Sequence, residues 1–396
     1  MTYTHLALHS AIDQRPRILL LIPHLGGGGA ERVTELLAAR LSAQKYELHL
    51  GLITELAGMG EEGSQNLPST VTVHRLGARR VRNAGLRLLR LVRRLQPEVI
   101  LSGMAHLNFL VLLLRPLSGR KVKILVRQNS TVSSALASGE LPNSTRFLYR
   151  LLYPRADRII CQTQAMAEDM AREIGLGAER FVVLPNPIEV DAIRSRVREL
   201  NAAGSATEWL GPGPHLLAVG RLARVKGYDL LLESLAALRA EFPGADLTIL
   251  GAGPEEAALR GLTEKLHLKN AVRFAGEVAE PVRYFPGATA FVLSSRHEGM
   301  PNALLEAAAA GLPIVSLPSS EGLADLLHGQ QGVWLASDTS AAALTEALVS
   351  ALRILKPGER YDHPFIEEFR IERSLAAYES VIDSVLPGQA NREVWG

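Results

Sequence analysis

Ala290-FVLSSRHEGMPNALLEAAAAGLPIV-Ser316 holds a strand, a loop, a helix and a second strand in 27 residues. Ala290 to Leu293 is short and wholly apolar, the composition of a buried strand. Pro301 suits a first helical turn, where its missing N–H costs little, and Ala303 to Ala310 is apolar almost all round. Gly311 and Pro313 then stop the helix, and Ile314 to Ser316 resumes a strand. Short apolar strands separated by helices imply a parallel sheet covered on both faces.

Two acids within this unit break the apolar pattern. Glu306 sits mid-helix among Leu and Ala, where a carboxylate is expensive unless something donates hydrogen bonds to it. Glu298 lies just ahead of the helix N-terminus, where free backbone N–H groups attract anions. Carboxylates for hydroxyl groups beside a helix end for phosphate describe a nucleotide-sugar site. Ordinary glutamates flanking a core helix are the competing reading.

The same alternation extends outward in both directions. Toward the N-terminus, strands are expected at Arg17 to Ile22, Glu47 to Ile53, Val71 to Arg75, Val99 to Leu101, Val122 to Val126, Arg158 to Cys161 and Val182 to Leu184. From Arg194 to Pro214 the pattern weakens into glycine, serine and proline, the mark of a linker. It restarts at His215 to Val219, Leu247 to Leu250, Val272 to Phe274, Ala290 to Leu293, Ile314 to Ser316 and Val333 to Leu335. The fold class is α/β, with two doubly wound parallel-sheet domains facing a cleft. The expected division is residues 1–195, a linker at 196–213, residues 214–365, and a C-terminal helix in 366–396 packing back toward the first domain.

Composition narrows the classes. A chain of 396 residues with 47% apolar content can build two sizeable cores. The one cysteine, Cys161, excludes an internal disulfide framework and fits a reducing compartment. The first 15 residues are polar and mixed, unlike a signal peptide, and the apolar run Phe109 to Leu114 is too short to span a bilayer. A soluble or peripheral protein is expected. Thirteen basic residues and one acid, Glu98, fall between Arg75 and Arg127. Arg79, Arg80, Arg82, Arg87, Arg90, Arg93 and Arg94 lie on or beside a helix whose Leu86, Leu89, Val92 and Leu95 recur at three-residue steps. A solvated basic face is the ordinary explanation; an anionic membrane or a phosphate-bearing acceptor, with Phe109 to Leu114 facing its lipid part, is the functional one. Nucleic acid fits less well, because aromatics are 5% of the chain and do not interleave with the arginines.

Candidate ligand groups gather at strand ends, where open parallel sheets bind. Gly220-Arg221 and Lys226-Gly227 follow the first strand of the second half, and a guanidinium with an ammonium suits a diphosphate. Gly251-Ala-Gly253 ends the next strand, but Glu255 and Glu256 after it argue against a dinucleotide. The run Gly26 to Gly29 lets the backbone approach a ligand beside a helix N-terminus, and it lacks the spacing of a Walker loop. Arg127-Gln128-Asn129 ends a strand and should face the cleft; His24, His106 and His297 sit close to candidate cleft loops, where a lone His is more often a structural residue than a catalyst. No Asp-x-Asp pair follows a strand and no His/Cys cluster has ligand spacing, so a bound metal is not indicated.

In this order the pieces resemble the retaining glycosyltransferases of GT-B type, specifically the large family-4 group. The resemblance covers nearly the whole chain. It rests on Gly-Gly-Ala-Glu-Arg at 28 to 32, Asn186 in a Pro-Asn turn, Gly220-Arg221 with Lys226-Gly227, Gly251-Ala-Gly253, and the Glu-x7-Glu motif from Glu298 to Glu306. It implies two Rossmann-like domains, the first for the acceptor and the second for the nucleotide sugar. Arg221 and Lys226 would hold the donor diphosphate, Glu298 the sugar hydroxyls and Glu306 the ribose. Gly220, Gly253, Gly299, Met300, Pro301 and Asn302 would complete the donor site, and Gly28 and Gly29 would line the cleft. His24, Arg127, Gln128 and Asn129 are the acceptor-side candidates. Two departures bear on sugar and acceptor: Arg127-Gln128-Asn129 stands where many members carry a His, and Ser319-Ser320-Glu321-Gly322 where relatives read Gly-Pro-x-Glu.

The resemblance further implies transfer of a hexose or N-acetylhexosamine from a nucleotide sugar, UDP being the expected carrier. No tightly bound cofactor and no metal are required. The acceptor would be lipid-linked or a polysaccharide in bacterial surface-glycan synthesis, reached from the cytoplasm at the inner face of the cell membrane. A sugar-nucleotide epimerase or hydrolase, a non-catalytic subunit, and an NAD-dependent oxidoreductase are the competing classes.

Overall fold

Apolar runs that cannot stay in water sort themselves into two parallel sheets in the computed structural model, which describes residues 15–26, 28–54, 67–119, 121–133, 144–204, 209–356 and 358–386. The first sheet comprises β1 (Arg17–Ile22), β2 (Glu47–Thr54), β3 (Val71–Ala78), β4 (Val99–Ser102), β5 (Lys123–Arg127), β6 (Arg158–Cys161) and β7 (Phe181–Val183). The second comprises β8 (His215–Val219), β9 (Asp246–Leu250), β10 (Val272–Gly276), β11 (Ala290–Leu293), β12 (Ile314–Ser316) and β13 (Val333–Leu335). Their orders are β3-β2-β1-β4-β5-β6-β7 and β10-β9-β8-β11-β12-β13. Each reverses direction beside its first strand, at β1/β4 and at β8/β11, and that crevice is where open sheets of this kind hold ligands.

The helices are α1 (Gly29–Arg40), α2 (Gly85–Leu95), α3 (Ala105–Leu114), α4 (Ser144–Leu152), α5 (Gln164–Ile174) and α6 (Val190–Ala202). The second half adds α7 (Tyr228–Leu238), α8 (Glu256–Lys265), α9 (Asn302–Ala309), α10 (Glu321–Leu327), α11 (Ala341–Leu352) and α12 (Ile371–Val385). One face of the first sheet packs under α2 to α5, the other under α1 and α12. The second sheet is covered by α7, α8 and α11 on one side and by α6, α9 and α10 on the other. The central strands are therefore buried on both faces and rich in Leu, Ile and Val, whereas edge strand β3 carries His74 and Arg75 and is partly exposed.

Three expectations change in detail. The linker expected from residue 196 begins inside α6, which runs to Ala202 because Val190 and Val197 are buried in the core of the second domain. The apolar helix around Phe109 to Leu114 faces inward: Val111 and Leu112 are fully buried, and only Leu113 stands out among them at 58% exposure. In α2, Leu89 and Val92 are buried while Leu86 is left in water. Cys161 is buried, and desolvation pushes its thiol up to about 12, which leaves it unreactive.

The chain crosses between domains twice at one place. Ile188 N–H donates to the Phe369 carbonyl at 2.8 Å, and Ile371 N–H donates back to the Ile188 carbonyl at 2.9 Å. Beyond that point α12 lies on the first domain. Tyr378 and Ile382 join Ile18 and Leu20 in one core. Tyr46 Oη donates to Asp383 Oδ1 at 2.6 Å, and Lys45 pairs with Glu379 at 2.6 Å. Ile382→Ala should lower the stability of the first domain by about 2–5 kcal/mol through the cavity it leaves. Urea unfolding followed on that domain checks this; an unchanged midpoint would mean that α12 does not hold the first sheet.

Candidate active site

Gly220 follows β8 with φ +156°, and its N–H donates to the Leu250 carbonyl at the end of β9, 2.9 Å away. The loops after these two strands lean on one another: Leu222 N–H reaches the Ala252 carbonyl at 3.0 Å, and Glu255 N–H the Leu222 carbonyl at 3.0 Å. A Cβ on Gly251 would run into the Gly220 carbonyl, and one on Gly253 into the backbone of Leu222. Gly251 and Gly253 thus let two strand ends meet closely, with Gly220 at the turn and Arg221 exposed above them.

The same loop is stapled to the one after β11. Gly227, at φ +62°, lies so close to the Ser294 carbonyl that no side chain fits. Ser294 Oγ donates to the Lys226 carbonyl at 2.9 Å, and Arg296 N–H to the Val225 carbonyl at 2.7 Å. The Arg296 guanidinium forks onto both carboxylate oxygens of Asp229, at 2.7 and 2.6 Å. This framework brings Lys226 Nζ to 2.5 Å from Glu298 Oε1, which also accepts from Ser295 Oγ at 2.7 Å. The Glu298 side chain is 12% exposed and that of Lys226 24%, so the pair works at reduced dielectric.

The first domain approaches from the opposite side. α1 and α9 both begin without a side-chain cap, so their first-turn N–H groups are available at the cleft. Asn302 opens α9 and its Nδ2 donates to the Gly29 carbonyl at the start of α1, 3.0 Å away. Arg32, one turn into α1, comes within 3.6 Å of Glu306. Burial raises the Glu306 carboxyl and Arg32 opposes the rise. Burial likewise raises Glu31, opposed in turn by its own backbone, His24, Gly28 and Arg221. Beside Glu306 lies a cavity of about 230 Å³ whose walls include Arg32, Pro187, Glu280, Val282 and Asn302.

Arg127, Gln128 and Asn129 are placed differently from the expectation that all three face an acceptor. Arg127 is 1% exposed and donates to the side-chain oxygens of Asn129 and Asn186. Asn186 Nδ2 carries the chain of bonds onward to the Met300 carbonyl at 3.1 Å and to Asn302 Oδ1 at 2.6 Å. Gln128 is 2% exposed and turns inward among Tyr149, Tyr153 and the Ser130 carbonyl. Their position at a strand end is as expected, but the need to satisfy buried polar groups draws these two side chains into the protein. Asn129 is half-buried, and its carbonyl abuts Gly299, where a Cβ would lie 2.5 Å away. Gly299, Met300 and Pro301 are buried against the first domain, and Gly28 lies beside Glu31. His24 is half-buried, with Nδ1 3.2 Å from the Leu25 carbonyl, while His106 and His297 are exposed.

Sequence reading quoted Glu31 and Arg32 without giving them roles, and it passed over Ser295, Arg296 and Asp229. Arg32 lies a whole domain away in sequence from Glu306, so no local pattern marks that pair. Among the described residues no group of three or more His, Cys, Asp or Glu side chains could hold a metal ion. No described helix is long and apolar enough to cross a membrane.

Comparison with known proteins agrees with this geometry. Residues 27–192 match the model for Glycosyltransferase Family 4, and residues 213–353 match that for Glycosyl transferases group 1. A relative from Campylobacter jejuni, N-acetylgalactosamine-N,N'-diacetylbacillosaminyl-diphospho-undecaprenol 4-alpha-N-acetylgalactosaminyltransferase, is 26% identical over 319 residues, 78% of this chain and 82% of that one. The lipopolysaccharide core biosynthesis glycosyltransferase LpsE of Rhizobium meliloti is 29% identical over 59% of this chain and 67% of its own. Against several other relatives the match spans less than two thirds of their length. The structure of Anabaena Alr3699/HepE in complex with UDP and glucose superposes with a TM-score of 0.74 at 16% identity, covering 93% of this chain and all of that one. One family model falls on each sheet, in the order that places a first-domain helix opposite the Glu-x7-Glu helix of the second, and the chain belongs to the GT-B, family-4-like glycosyltransferases.

Proposed function

We propose that this glycosyltransferase is retaining and metal-independent. It moves a hexose or N-acetylhexosamine from a UDP-sugar to a lipid-linked or polysaccharide acceptor in bacterial surface-glycan synthesis, working on the cytoplasmic face of the cell membrane. The observation that carries the reading is the Lys226–Glu298 pair beside exposed Arg221, at strand ends facing the uncapped first turn of α1. The relatives' names support the acceptor class, one acting on a diphospho-undecaprenol glycan and another in lipopolysaccharide core synthesis. The UDP and glucose in the Anabaena structure's name support the donor.

Breaking the anomeric C–O bond leaves positive charge on the sugar and negative charge on the nucleoside diphosphate. Arg221, Lys226 and the N–H groups opening α9 are aimed at that negative part, and stabilise it in a site partly shielded from water. Lys226 turns from Glu298 to the phosphate, which frees Glu298 to accept hydrogen bonds from sugar hydroxyls. Glu306 holds the ribose diol, with the nucleoside in the cavity beside it. The acceptor hydroxyl attacks the face the diphosphate leaves, and the departing phosphate oxygen takes its proton, so no protein nucleophile is needed.

Incubation with a panel of nucleotide sugars, with and without total membrane lipid, should release nucleotide and form a new glycolipid. Nucleotide release with an epimerised or free sugar and no glycosylated product would favour the epimerase or hydrolase instead. Arg221→Ala and Lys226→Ala should each reduce turnover a hundredfold or more, about 2.7 kcal/mol. Near-normal kinetics in a folded double variant would remove both from the mechanism. Activity should persist in excess chelator; loss that magnesium or manganese restores would show that the diphosphate is held through a metal. Because burial raises the Glu306 carboxyl, its ionised form is lost early as pH falls, and the donor KM should climb on the acid side. Glu306→Gln should flatten that dependence, and a profile unchanged by the substitution would place the ribose elsewhere.

A further inference from the structure

The groove between edge strand β3 and α2 takes no part in the cleft chemistry. It encloses about 640 Å³, and His74, Arg75, Arg87, Arg90 and Arg94 line it over an apolar floor, with no acid among the lining residues. Arg87, Arg90 and Arg94 recur at three- and four-residue steps, which puts them on one face of α2. Arg87 donates to the backbone carbonyls of Leu76 and Gly77, the former at 2.8 Å. Arg90 and Arg94 have no acceptor among the described residues. Beneath them His74 lies 3.1 Å from His49, whose other ring nitrogen meets Glu47 at 3.1 Å. Burial, His49 and Arg94 all hold His74 toward its neutral form, so the charge of the groove is that of its arginines.

The helical layer that carries this groove also leaves large apolar side chains in water. Leu86 at the start of α2 is 70% exposed, Leu113 in the last turn of α3 58%, and Phe147 on α4 66%. Leu117 and Leu151 are about half exposed beside them. α3 packs against both α2 and α4, so these residues and the arginines belong to one continuous surface. A soluble phosphate would use the arginines and leave five apolar side chains without purpose. A bilayer surface takes both, phosphates on the guanidinium groups and apolar side chains at the acyl boundary.

We infer that the outer face of α2, α3 and α4 docks on an anionic lipid bilayer, with Arg90 and Arg94 clamping lipid phosphates and Leu86, Leu113 and Phe147 entering the interface. The inference rests on the lipid-linked acceptor proposed above, which must be met at a membrane. The full chain should sediment with phosphatidylcholine vesicles containing phosphatidylglycerol at low salt, not with phosphatidylcholine alone, and be released as salt shortens the Debye length. Arg90→Gln with Arg94→Gln should weaken binding about thirtyfold, the joint effect of two basic residues near the surface. Arg90→Lys with Arg94→Lys should retain it. Phe147→Ser with Leu151→Ser, two exposed changes, should also weaken it.

Wild-type protein that ignores phosphatidylglycerol vesicles at low salt overturns the inference, as does a Gln pair that binds like wild type. Binding of inorganic pyrophosphate without vesicle binding would mark a soluble phosphate site instead, and an unaffected Phe147/Leu151 variant would exclude insertion. Release of nucleotide from the nucleotide-sugar panel with total membrane lipid present is the separate control. Its absence in a protein that still binds vesicles would sink the transferase reading and leave the docking face standing.

Discussion

Arg127 lies inside the first domain with its charge spread over two amide oxygens, those of Asn129 and Asn186. A buried guanidinium is tolerated only where such acceptors are fixed, and removing any of them strands a charge out of water. Asn186 is therefore not free to turn, and its amide nitrogen is committed to Met300 and Asn302. Asn302 in turn is committed to Gly29. A single run of hydrogen bonds passes from the end of β5 to the start of α9 and back to the start of α1. The distance between the two helix N-termini at the cleft follows from it.

Around that run two acids of the cleft each face a cation: Lys226 neutralises Glu298, and Arg32 stands off Glu306. On the reading proposed above, a diphosphate entering such a site would exchange one anionic partner for another instead of meeting bare cations. The exchange limits the desolvation that binding demands and hands the released carboxylates to hydroxyl groups of the ligand. It also explains why Glu298 is anchored by Ser295, since a carboxylate that loses its ammonium must keep some donor.

Most of this architecture was legible in the residues, for definite reasons. Strands buried on both faces are continuous apolar runs, so the central strands are visible as such, and the mixed edge strands β3 and β10 begin on the apolar residues that mark them, with ends shifted by a residue or a few. The strand ends carry the polar groups because they are where the backbone stops burying itself, which is why Gly220-Arg221 and Glu298 could be found. Side-chain direction was harder. Arg127 and Gln128 sit one residue apart at a strand end and both turn inward, a result of which amides needed partners rather than of any periodicity. The pairing of Arg32 with Glu306 joins residues 274 positions apart, and only the assembled domains disclose it. On the sequence, helix α6 fades into a linker because its exposed face is charged, while its three buried residues, Val190, Val197 and Leu200, are too few to stand out.

The paired crossing at Ile188 and Phe369 to Ile371 means that residues between them form a domain inserted within another. The first sheet's outer layer is finished by α12, which follows every strand of both sheets along the chain. During synthesis the inner domain can therefore close its own core while β1, Leu20 and Tyr46 still await Tyr378, Ile382 and Asp383. The order of maturation is the reverse of the order of translation, and a chain cut near residue 370 would present a finished second domain on an unfinished companion.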